Sequence, residues 1–129
     1  MRKLCSLLSL SGVLASLSVS AQEGRLDILR ADLPGRTVFA QQCAPCHGTG
    51  PGDDGARLLP GTEALLEKYE GERAGELELR DDLPAPVLRL FVRRGSGSMP
   101  MFRPSELSDD EIEQIADYLL ATARLNEGT

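Results

Sequence analysis

Apolar side chains recur at helical spacing in four stretches of this chain, and the segments between them are dense in glycine, proline and charge. The strongest pattern is the last. Ile112, Ile115, Ala116, Leu119, Leu120 and Ala123 form one stripe, and Ser108 followed three residues later by Glu111 is a capping box that starts the helix. Val87, Leu88, Leu90, Phe91 and Val92 fill another helix, with Pro84 and Pro86 in its first turn and Gly95 ending it. Thr62 can cap a helix running to Tyr69, with Ala64, Leu65 and Leu66 on it and Gly71 as its stop. A shorter helix runs from Gly35 to about Cys43, with Pro34 ahead of it and Val38 and Phe39 as its apolar side. Gly48 to Gly61, with Asp53 and Asp54, has no hydrophobic period and reads as a loop, and Glu72 to Asp82 reads as a charged connector. No repeat is visible and no strand is needed, so the expected fold class is all-α with about four helices.

The amino terminus stands apart from this pattern. Arg2 and Lys3 precede an uncharged, serine-diluted apolar run from Leu4 to Val19, and Val19-Ser20-Ala21 offers small residues for cleavage. The expected organisation is a signal peptide over 1–21, an N-terminal lead-in over 22–34 and one domain over 35–129. The apolar run is too short and too rich in serine for a retained spanning helix. Export to the periplasm through a cleaved signal follows, and Cys5 would leave with it.

Charge narrows the partners. The full chain carries a formal −6; without Arg2 and Lys3, 12 basic side chains face 20 acidic ones, a balance of −8. Such a surface argues against nucleic acid and anionic membranes. A domain of about a hundred residues lies near the lower end of what buries an adequate core unaided. Trp is absent and aromatic residues make up 4%, which suits a core built around something other than its own side chains.

Cys43-Ala44-Pro45-Cys46-His47 supplies a candidate. C-x-x-C-H is the attachment signature of c-type haem: two thiols add to the vinyl groups as thioethers and the following histidine becomes the proximal iron ligand. The same residues could be half of a zinc site or a redox dithiol. Zinc needs four ligands, whereas the exported chain has two cysteines, one histidine and no second C-x-x-C. A thioredoxin-like dithiol needs a strand and helix context that is missing here. Haem is therefore preferred, and with both cysteines consumed no structural disulfide is expected.

His47 is the only histidine, so a second histidine ligand within one molecule is impossible. Beyond the initiator, methionine occurs only at Met99 and Met101, in the loop Gly95-Ser96-Gly97-Ser98-Met99-Pro100-Met101-Phe102. Its glycines let a thioether reach a metal and Pro100 stiffens it. Spacing does not choose between the two methionines, and either could simply fill a gap in the core.

With Gly35 and Phe39 ahead of Cys43, Cys46 and His47, then Met99-Pro100 and a terminal helix carrying Tyr118, the chain resembles class I c-type cytochromes over essentially its whole exported length. The resemblance implies the small cytochrome c fold, about four helices around one covalently bound haem c. It implies Met99 as the distal iron ligand opposite His47, Met101 as packing beside the haem, and contact between Gly35, Phe39 and the face around Tyr118. It also implies a proline whose neighbouring carbonyl accepts the other ring proton of the proximal histidine, for which Pro60 is preferred over Pro51. Pro60-Gly61-Thr62-Glu63-Ala64-Leu65 and Met99-Pro100-Met101-Phe102-Arg103 are similar to small cytochromes serving periplasmic dehydrogenases, such as the cytochrome subunit of flavoenzymes that oxidise substituted phenols.

The expected function is single-electron transfer in the periplasm, between a dehydrogenase and the respiratory chain, without catalysis. Expected partners are a flavin or quinoprotein dehydrogenase or a terminal oxidase, with no nucleic acid and no membrane span in the exported chain. The alternative is a haem enzyme or gas-sensing protein with an open distal iron, for which Arg93, Arg94 and Arg103 are the only helpers in reach. Arg93 and Arg94, a basic pair on an acidic molecule, are otherwise candidates for steering a partner or pairing with the haem propionates.

Overall fold

Proline stands in the first turn of most of the described helices. In the computed structural model, which describes residues 33–127, α1 (Pro34–Gln42), α3 (Pro60–Lys68) and α4 (Ala85–Arg94) each have proline in the first turn, where no intrahelical amide bond is lost. Cys43 interrupts α1, and a single turn, α2 (Ala44–His47), continues from it. A 3-10 turn spans Leu77–Leu79, and α5 (Asp109–Glu127) closes the fold. Among the described residues the only β feature is an isolated bridge between Ser96 and Met99, so the all-α expectation holds. The expected signal segment over 1–21, with Cys5, and the lead-in up to residue 32 lie outside the described residues.

The core is organised on α5. Ile112, Ile115, Ala116, Leu119 and Ala123 are buried, and Tyr118 and Thr122 join them. The capping box forms as the sequence predicts. Ser108 N–H donates to Glu111 Oε2 at 2.7 Å and Glu111 N–H donates to Ser108 Oγ at 3.2 Å; the bonds that the Ser108 amide and hydroxyl give to the Glu111 carboxyl hold it below its ordinary range. Helix α1 crosses α5 where Gly35 meets the backbone of Gln114 and Phe39 meets Tyr118, with ring centroids 5.6 Å apart. The contact implied by the family resemblance is therefore present. Leu88 and Val92 bury the inner face of α4 against the same cluster.

Two sequence expectations are corrected. Thr62 does not cap α3: Leu59 is the N-cap, and Thr62, fully buried one turn in, donates from Oγ1 to the Gly48 carbonyl at 2.9 Å. The segment 72–82 is more than a charged connector. It folds back on α5, buries Leu77, Glu78 and Arg80, and hands the carboxylate of Glu78 to the Tyr118 hydroxyl. Arg80 makes two bonds to Asp82, at 2.8 and 2.7 Å, and its guanidinium lies 4.8 Å from the centroid of the Tyr69 ring. No helix among the described residues is long and apolar enough to cross a membrane.

Candidate functional site

The cysteines are presented by the break between α1 and α2. Cys43 N–H still donates to Phe39 O of α1, while Cys46 N–H and His47 N–H turn back to Cys43 O at 3.1 and 2.9 Å. This single turn places Cys43 half-buried against the core and Cys46 exposed, both as free thiols. Burial, and then the neighbouring Cys46, push the Cys43 thiol up to about 11.

His47 is the next residue of the same turn, half-buried. Burial lowers its pKa, favouring the neutral imidazole that a metal requires. Its ring is seated by the start of α3. A Cβ on Gly61 would fall 2.6 Å from Cε1 and 2.7 Å from Nδ1, so only glycine permits the approach. Nδ1 is buried and without a hydrogen-bond partner in this arrangement. Pro60 is thus on the segment beside the ring, but the expected bond from Nδ1 to a carbonyl next to it is not formed. Thr62 fastens the segment after His47: its hydroxyl donates to Gly48 O and lies 3.5 Å from Cys46 O. Sequence reading missed this role because a threonine near a helix start looks like a cap.

The methionine loop leaves the end of α4 through Gly95, whose φ of 67° suits glycine and whose N–H donates to Phe91 O at 2.7 Å. Ser96 and Met99 exchange backbone bonds at 3.1 and 3.0 Å, forming a tight turn. Its consequence is a clear difference between the two methionines. Met99 packs partly buried against the core, whereas Met101 is 60% exposed.

Arg93 is not available in the way its sequence suggested. Its guanidinium donates to Phe102 O at 3.0 Å, Leu107 O at 2.9 Å and Asp109 Oδ1 at 2.6 Å, so it is spent inside the fold rather than on a partner. Arg94 and Arg103 are exposed. Among the described residues no group of three or more His, Cys, Asp or Glu side chains could hold a metal ion, and the zinc alternative gains no ligands from the fold. A cavity of about 200 Å³ lies between Arg36, Phe39, Glu78 and Tyr118, and neither His47 nor Met99 lines it.

A haem fits this donor set. Two free thiols and a neutral imidazole share one turn, the Nδ1–Cε1 edge of that imidazole lies against Gly61, and Nε2 is left for a metal. Partly buried Met99 is a soft donor of the kind haem iron accepts.

Residues 30–119 match the family model described as cytochrome C oxidase, cbb3-type, subunit III. Cytochrome c6 of Cyanidioschyzon merolae is 32% identical over 95 residues, covering 73% of this chain and 78% of that protein. Cytochrome c6 of Leptolyngbya boryana is 34% identical over 90 residues, covering 69% and 89%. Cytochrome c6 of Microcystis aeruginosa is 32% identical over 89 residues, covering 69% and 94%. No solved structure matches the chain.

Proposed function

Because the chain belongs to the small monohaem class I c-type cytochromes, which include cytochrome c6, we propose that it binds one haem c through Cys43 and Cys46, with His47 and Met99 as axial ligands. The family makes it an electron carrier and not an enzyme. The observation that carries the residue assignment is the pairing of a half-buried, neutral His47 beside two free thiols with a methionine turned toward the core.

When bound, the haem supplies a one-electron Fe(III)/Fe(II) couple. The protein's part is to hold that couple still and to set its potential. Cys43 and Cys46 would fix the group to the α1–α2 break, Gly61 and Thr62 keep His47 and the segment after it in place, and the thioether of Met99 would raise the reduction potential. Phe39 and Val92, both in the buried cluster, keep water from the interior. Exposed Pro45 and Cys46 bring the attachment segment to the surface, where a partner protein can approach.

The working compartment is the periplasm, reached by the segment over 1–21. The donor is a flavin or quinoprotein dehydrogenase and the acceptor the respiratory chain or a terminal oxidase. A Met99 thioether on the iron would take the position that the alternative, an open gas-binding iron, needs free.

The visible spectrum of the purified protein tests the assignment, oxidised and then reduced with and without carbon monoxide. A far-red sulfur-to-ferric-iron band and no response to carbon monoxide are expected. Ready carbon monoxide binding without that band would reject Met99 as ligand and favour the open-site alternative.

A further inference from the structure

Phe102 is tied to α4 through both of its backbone groups. Its N–H donates to Val92 O at 2.8 Å, and its carbonyl accepts from Arg93 Nη1 at 3.0 Å. Between this anchor and Met99 lie only Pro100 and Met101, and Pro100 restricts what little freedom that span has. The Nη2 nitrogen of the same guanidinium donates to Leu107 O and to Asp109 Oδ1. One planar side chain therefore joins the end of the methionine loop, the segment before α5 and the first residue of α5. A lysine ammonium is a point donor and cannot reproduce that fork.

We propose that Arg93 is a positioning residue for Met99: by fixing the Phe102 carbonyl it keeps the loop from relaxing and so keeps the thioether on the iron. The proposal rests on Met99 being the ligand. Its rival is that Arg93 only stitches α4 to α5. Arg89 provides the comparison, because it pairs with Glu113 at 2.9 Å and with Asp109 at 3.5 Å and no bond joins it to a loop carbonyl. Arg124, exposed in the last turn of α5, controls for loss of one positive charge.

The test uses haem-loaded protein carrying Arg93→Gln, Arg93→Lys, Arg89→Gln or Arg124→Gln. The readouts are the pH at which the far-red band of the ferric protein disappears and the rate of carbon monoxide binding to the ferrous protein. Arg93→Gln should lose the band about one pH unit or more below the unsubstituted protein and bind carbon monoxide roughly tenfold faster or more. Arg93→Lys should fall between them, and it carries the test if Arg93→Gln does not fold. Arg89→Gln should melt earlier yet keep the unsubstituted band and gas response, and Arg124→Gln should match the unsubstituted protein in both readouts. If Arg93 variants melt earlier but keep that band and response, Arg93 is a helix stitch and the proposal is overturned. If the unsubstituted protein itself lacks the band, the Met99 assignment has failed, and the role of Arg93 falls with it.

Discussion

Gly35 of α1 lies so close to Gln114 of α5 that a Cβ on it would sit 1.9 Å from the Gln114 carbonyl oxygen and 2.8 Å from Ile115 N. Both neighbours are backbone atoms of α5, so neither can turn aside. Gly35→Ala must separate the two helices and loosen the Phe39–Tyr118 contact one turn away. The expected loss is about 3 kcal/mol, at the upper end of ordinary overpacking. Denaturant unfolding of the haem-loaded protein measures it; a loss below about 1 kcal/mol would mean that the helices can slide past each other.

The buried Tyr118–Glu78 bond predicts a pH dependence. Burial, and then the facing Glu78 carboxylate, raise the Tyr118 phenol above its ordinary value. Below about pH 10 the folded and unfolded states both keep this proton. Above it the unfolded chain releases a proton that the folded chain retains, so the raised pKa makes stability fall as pH rises. Tyr118→Phe should abolish this alkaline decline while costing about 1–3 kcal/mol near neutral pH, because Glu78 is left buried without its donor. Unfolding curves at neutral and alkaline pH separate the two effects. An unchanged alkaline slope in Tyr118→Phe would assign the decline to other groups.

Local chemistry explains what was legible beforehand. The Ser108–Glu111 box, the proline-opened α4 and the stripe of α5 are set by residues within one or two turns of each other, and each occurs where the pattern placed it. C-x-x-C-H was legible because its chemistry is contiguous. Glu78 and Arg93 were not. Each is a charged residue in a segment that looks solvated, and each is explained by a partner far along the chain, Tyr118 for one and Leu107 with Asp109 for the other. Spacing does not separate the two methionines, two residues apart; the family resemblance points to Met99, and the fold adds the turn that hides one and exposes the other.

The seat of His47 is tested by a pair of substitutions. In Gly61→Ala the new methyl would fall within 2.7 Å of the imidazole, which must tilt or withdraw. Stability should drop by about 1–3 kcal/mol and the reduction potential should move with the ring. Thr62→Val keeps the shape but leaves the Gly48 carbonyl without its donor. It should cost about 1–2 kcal/mol and leave the potential close to that of the unsubstituted protein. Redox titration beside denaturant unfolding distinguishes them. A Gly61→Ala protein with unchanged potential would show that the ring does not depend on this contact once haem is attached.

Met99 and Met101 offer the most discriminating comparison, since they are chemically identical and differ only in where the turn puts them. Met99 follows the Ser96 bridge and faces the core, while Met101 is largely exposed. Met99→Ala should remove the sulfur donor, lower the reduction potential, abolish the far-red ferric band and let carbon monoxide bind the ferrous iron. Met101→Ala should do none of these, and because its side chain is mostly in water it should change stability by less than about 0.5 kcal/mol. Spectra with and without carbon monoxide, together with a redox titration, decide the assignment. If Met101→Ala opened the iron and Met99→Ala did not, the loop would have to turn over on haem binding. The inward face of Met99 would then be a packing contact.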